Sequence, residues 1–129
     1  MDRQGVHRPQ RILVVDDSAD MRDLWNVWLT AHGFSVLEAE NGLEALQQVD
    51  EGPPDLVLLD VMMPIMDGLE TLKRLRALAP TSAVPVIMLS AQGEVGASRA
   101  GQLGPDLYLR KPVAPDDLMW HIRGLLRRG

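Results

Sequence analysis

No cysteine occurs in the 129 residues, which suits a reducing compartment and leaves no thiolate to ligate zinc. No apolar run approaches the roughly 20 residues that a membrane-spanning helix needs, so no membrane association is expected. The first ten residues, MDRQGVHRPQ, lack the apolar core of a secretory signal, and we read residues 1–10 as a flexible tail with His7 solvated in it. These features together predict a cytoplasmic location. Net charge is −5, and no stretch clusters Lys and Arg on one predicted face except the terminal Arg127 and Arg128. The electrostatic footprint of a nucleic-acid binder is therefore missing, and this segment is expected to bind none. No repeat, linker or low-complexity tract appears.

What remains is one domain by length, with 46% hydrophobic and 24% charged residues. Apolar runs alternate with amphipathic stretches, the rhythm of βαβ units that build a parallel sheet. Five strands are expected: Arg11 to Val15, Ser35 to Ala39, Leu56 to Asp60, Val84 to Ser90 and Leu107 to Arg110. Helical patterns lie between them. The first, Ala19 to His32, sets Met21, Leu24, Trp25, Trp28 and Leu29 on one side, with Trp25 and Trp28 read as core. The second spans Gly42 to Asp50. The third, Gly68 to Ala79, turns Leu69, Leu72, Leu75 and Ala79 inward and ends at Pro80. The fourth, Gly93 to Leu103, carries three glycines, each costing about 1 kcal/mol in a helix interior, and is expected to be short or mobile. The last, Pro115 to Arg128, has Asp116 and Asp117 in its first turn and arginines in its last, matching the helix dipole.

The strand ends carry the chemistry. In an open α/β sheet, ligands sit outside the carboxyl ends of the strands. Asp16 and Asp17 follow the first strand, Asp60 closes the third, Ser90 closes the fourth and Lys111 follows the fifth. Each alone has an ordinary explanation: an aspartate after a strand commonly caps a helix or forms a turn, a serine is commonly structural, and a lysine is commonly solvated. Together they converge on one edge, where three carboxylates would repel unless one takes a proton or a cation joins them. A hard divalent cation such as Mg²⁺ takes oxygen ligands and joins carboxylates to a phosphate oxygen. Asp17 and Asp60 are the expected direct ligands, with Asp16 holding a coordinated water. Zinc is not indicated, nor is copper: Met62, Met63 and Met66 in VMMPIMDG read as parts of a shaped turn.

The stretches ILVVDDS, DLVLLDVMMPIMDGLE, PVIMLSA and LYLRKP resemble, in that order, the receiver domain of bacterial two-component response regulators. The resemblance covers about residues 10 to 128, so residues 11–128 are assigned to one receiver domain. It implies a doubly wound, flavodoxin-like, five-stranded parallel sheet of order 2-1-3-4-5 with five helices. It also implies roles for particular residues. Asp60 is similar to the phosphoacceptor, Asp16 and Asp17 to the acidic pair that holds Mg²⁺, Ser90 to the switch hydroxyl and Lys111 to the lysine before a proline. The backbone carbonyl of Met62 would complete the metal shell, the Lys111–Pro112 peptide would be cis, and Tyr108 would be the aromatic that moves with Ser90. Apart from the resemblance, Met62 and Gln92 lie close to the expected site and are where control of water access is expected. Function would then be acceptance of a phosphoryl group from a histidine kinase or histidine phosphotransfer protein. The switch would act on the face formed by the fourth helix, the fifth strand and the last helix, for a homodimer or an effector protein.

Two departures from that pattern stand out. The stretch AQGEVGASRAGQLG is richer in glycine than the resemblance implies, and Ala114 precedes Pro115 where a capping side chain is common. On the last helix Trp120 falls opposite Leu118, Ile122 and Leu125, between Arg123 and Arg127. These three are expected to form an exposed partner or dimer surface. Competing functions fit the same residues less well. A Mg²⁺-dependent aspartyl phosphatase or phosphotransferase acting on small substrates commonly has a carboxylate two positions after its nucleophile, where this chain has Met62. A dinucleotide-binding domain requires a glycine-rich phosphate turn, and VVDDSAD has none. A receiver acting through protein contacts alone would not need the full acidic set. The effector region, the kinase and the signal are not written in this segment, which is read either as a stand-alone receiver or as part of a longer regulator.

Overall fold

The computed structural model describes residues 9–61, 65–90 and 106–128. The expectations for Met62, Met63, Gln92, most of the tail and the fourth helical segment lie outside them. The described elements are β1 (Arg11–Val15), α1 (Ala19–Ala31), β2 (Ser35–Ala39), α2 (Gly42–Glu51), β3 (Leu56–Asp60), α3 (Gly68–Ala77), a 3-10 turn (Ala79–Thr81), β4 (Val86–Ser90), β5 (Leu107–Arg110) and a C-terminal helix (Pro115–Arg128). The five strands pair in parallel in the order β2-β1-β3-β4-β5.

Burial on both sheet faces follows from the uninterrupted apolar runs. Alternate residues of each central strand serve different cores. Leu13, Val15, Val57 and Leu59 pack with Ala45 and Val49 of α2 and with Leu69, Leu72 and Leu75 of α3. Ile12, Val14, Leu56 and Leu58 pack with Trp25 and Leu29 of α1 and with Leu118, Ile122 and Leu125 of the C-terminal helix. The strand period of two thus sorts one hydrophobic run into two layers.

Local chemistry sets the boundaries. Ser18, Asn41 and Asp67 cap α1, α2 and α3, each accepting a backbone N–H three residues on. Helix α1 stops at Ala31, with His32 bonding back to Leu29 and Thr30 and Gly33 at φ 94°. Helix α2 runs one residue past Asp50, to Glu51. Three expectations need correction. Strand β4 begins at Val86, not Val84, because Pro85 has no N–H to donate, and the first ladder donor, Val86, bonds the Asp106 carboxylate at 2.8 Å. Helix α3 ends at Ala77, because Pro80 cannot donate to the carbonyl of Arg76 and its ring crowds it; Ala79 is exposed rather than inward. Leu24 is 55% exposed: at 3.6 residues per turn it lies a quarter-turn beyond the buried stripe, which Trp25 and Leu29 centre. Trp28 sits at that stripe's edge and is half-buried, with its ring edge-on to Trp25 at 5.8 Å. Among the described residues no helix is long and apolar enough to cross a membrane.

Candidate functional site

Strand order reverses beside β1: the chain leaves β1 for β2 on one side and reaches β3 on the other. The crevice at such a reversal opens at the carboxyl ends of the strands, where Asp16 and Asp17 leave β1 and Asp60 ends β3. One carboxylate oxygen from each of the three lies within 4.8 Å of the others. Asp16 and Asp60 are buried, whereas Asp17 is exposed. The site therefore has a buried floor and one carboxylate on its rim.

Lys111 reaches this floor from the turn after β5. Its ammonium nitrogen lies 3.5 Å from an oxygen of Asp16 and 3.5 Å from an oxygen of Asp60. The Lys111 backbone N–H donates to the Ser90 carbonyl at 2.8 Å, so the lysine is held to the end of β4. The Lys111–Pro112 peptide is cis. Ser90 is fully buried at the same edge, and Tyr108, half-buried, stands opposite Met88 in the β4–β5 register. One ammonium against three carboxylates leaves the cluster with excess negative charge. Its donors are carboxylate oxygens alone, a hard set compatible with a bound metal of the oxygen-seeking kind.

Glycine is required where α3 approaches the site. A β-carbon on Gly68 would collide with the backbone oxygen of Asp60 and stand 2.7 Å from Cα of Val61. The Gly68 N–H donates to the Val61 carbonyl at 2.8 Å, and Asp67 caps the helix through the Glu70 N–H. The start of α3 is thereby pinned against the backbone that carries Asp60.

The structure thus brings Asp16, Asp17, Asp60, Ser90 and Lys111 to one edge and leaves the aromatic surface elsewhere. Trp120 is 74% exposed, with Arg123 and Arg127 exposed on the same helix. A shallow cleft of about 270 Å³ lies between Trp120, His121, Gly124 and Leu125 of the C-terminal helix and Asp106 and Leu107 at the start of β5. That is the amino end of the strands, away from the acidic cluster. Sequence reasoning missed Arg22, whose guanidinium donates to the Asp16 carbonyl at 2.7 Å. Its spacing from Asp17, about one helical turn into α1, was the available signal.

Residues 12–123 match the response regulator receiver domain family. The chain is 43% identical over 121 residues to the response regulator MprA of Mycobacterium sp. (strain KMS), covering 93% of this chain and 52% of that protein. It is 41% identical over 120 residues to the phosphate regulon transcriptional regulatory protein PhoB of Klebsiella pneumoniae, covering 92% and 52%. Among solved structures it superposes on a putative response regulator from Chloroflexus aurantiacus with TM-score 0.87 and 34% identity, covering 93% of this chain and 99% of that one. The chain belongs to the response regulator receiver domain family of two-component signalling. It spans about half the length of the curated relatives it matches.

Proposed function

We propose that this receiver accepts a phosphoryl group on Asp60, in a Mg²⁺-dependent step, from the phosphohistidine of a histidine kinase or histidine phosphotransfer protein. The reading rests above all on the paired contacts of Lys111 with Asp16 and Asp60 inside a three-carboxylate cluster. A carboxylate oxygen of Asp60 forms the bond to phosphorus while the donor's imidazole nitrogen leaves with the electron pair, giving an acyl phosphate. The Lys111 ammonium, already within reach of Asp60, moves its interaction to the phosphoryl oxygens as charge develops there. Mg²⁺ when bound supplies further neutralisation of those oxygens. Asp17 and Asp60 would hold the metal directly, with Asp16 holding a coordinated water.

Ser90 then donates its hydroxyl hydrogen to the new phosphoryl group, and Tyr108 follows in the space this vacates. The movement carries to the face made by β5 and the C-terminal helix, where Trp120, Arg123 and Arg127 present a surface for an effector or a second copy. The protein turns over no external substrate beyond its own phosphorylation and dephosphorylation, and works in the cytoplasm. Incubation with Mg²⁺ and a small phosphodonor should add one phosphoryl group by intact mass, lost in Asp60→Asn and in chelator. Uptake that survives Asp60→Asn, or release of phosphate from excess donor faster than the isolated Asp60 acyl phosphate hydrolyses, would refute this assignment.

A further inference from the structure

The Asp16 backbone is gripped from every side. Its N–H donates to the Ala39 carbonyl at 3.1 Å, one carboxylate oxygen accepts the Ser18 N–H at 2.9 Å, and its carbonyl accepts Nη1 of Arg22 at 2.7 Å. That carbonyl belongs to the peptide joining Asp16 to Asp17, so its direction fixes how the Asp17 side chain leaves the backbone. Arg22 is itself held. Its Nε lies 3.3 Å from one oxygen of Glu38, whose other oxygen accepts Nδ2 of Asn26 at 2.6 Å. Asn26 in turn accepts the Thr30 hydroxyl at 3.1 Å, and the Glu38 backbone carbonyl accepts the Gln48 amide at 3.3 Å. The Arg22 side chain is only 15% exposed.

A planar guanidinium can serve two acceptors at a fixed angle, which an ammonium on a flexible stem cannot. A cation beside a cation site would by itself oppose the second positive charge, and Glu38 offsets that charge. What Arg22 then contributes is geometry. We propose that Arg22 is a positioning residue for the acidic pair: through the Asp16 carbonyl, backed by Glu38 and Asn26, it orients the Asp16–Asp17 peptide for divalent-cation binding. The proposal rests on the reading of the three aspartates as a Mg²⁺ site.

Three roles for Arg22 predict three different results. If its charge is what matters at the cluster, Arg22→Gln tightens Mg²⁺ binding. If it only stabilises the fold, the variant melts earlier and Mg²⁺ affinity stays the same. A positioning role predicts weaker binding with little change in the melting temperature of the metal-free protein. Calorimetric titration of MgCl₂ into the wild type, Arg22→Gln and Arg22→Lys, with thermal melts beside it, separates them. We expect about a tenfold loss for Arg22→Gln, the low end for partners that orient metal ligands. Arg22→Lys keeps the charge but not the fork, and should lose about threefold. Should Arg22→Gln fail to fold, Arg22→Lys decides, and wild-type affinity in it overturns the proposal. Unchanged or tighter binding in Arg22→Gln, with the wild type binding normally, also overturns it and leaves the Mg²⁺ reading standing. No Mg²⁺ uptake by the wild type overturns both.

Discussion

The two ends of the sheet use the same residue types to opposite effect. At the amino end Arg76, Asp106 and Asp55 close bonds between elements. Arg76 donates to the carbonyls of Thr81, Ser82 and Val84 and pairs with Asp106 at 2.9 Å, while Asp106 also accepts the Val86 N–H. The Asp55 carboxylate accepts the Arg11 N–H at 2.7 Å. At the carboxyl end three aspartates crowd one lysine. Satisfied polar groups tie elements together, whereas an excess of one sign is a cost to stability retained for binding. One end is a staple, and the other is a site.

Substitutions can break that contrast. The largest expected effect belongs to Asp60→Asn, which should abolish phosphoryl uptake by intact mass while the far-ultraviolet circular dichroism spectrum stays that of the wild type. Gly68→Ala drives a β-carbon into the Asp60 backbone and should cost about 3 kcal/mol in urea unfolding, the upper range for forced overpacking. At the amino end, Asp106→Ala removes the acceptor of the Val86 N–H and the carboxylate partner of Arg76, and should lower unfolding free energy by about 2 kcal/mol in the same assay. At the carboxyl end the sign reverses. Asp17→Asn removes one of the crowded charges and should raise metal-free stability by about 0.5 kcal/mol, a small gain because Asp17 is exposed. A destabilised Asp17→Asn protein, measured without divalent cations, would show that the two ends do not differ as described.

Why the sequence was legible in some places and not in others follows from the range of each interaction. The run Ile12 to Val15 reads directly as a strand buried on both faces, because its four side chains alternate between two apolar layers. The exposure of Trp120 was equally readable, since it lies opposite Leu118 and Ile122, which are fully buried. Leu24 was misplaced because a hydrophobic count does not say how wide the buried stripe is. Only the packing of α1 against the sheet sets that width, and Leu24 falls outside it. The two extra residues assigned to α3 reflect a similar limit: Ala79 fits the helical spacing, but Pro80 ends the helix before it.

For the site, the order of the chain was enough to predict that Asp16, Asp17, Asp60, Ser90 and Lys111 share one edge. Every parallel strand delivers its last residue to the same side, so counting strands places them. Which atoms meet was decided by tertiary structure alone. That Lys111 stands between Asp16 and Asp60, and that Arg22 holds the Asp16 carbonyl while leaning on Glu38, depends on strand register and side-chain reach. Periodicity records where a residue faces on its own element. It carries no information about partners on elements far away in the chain, whose separation is fixed only when both hydrophobic layers have packed.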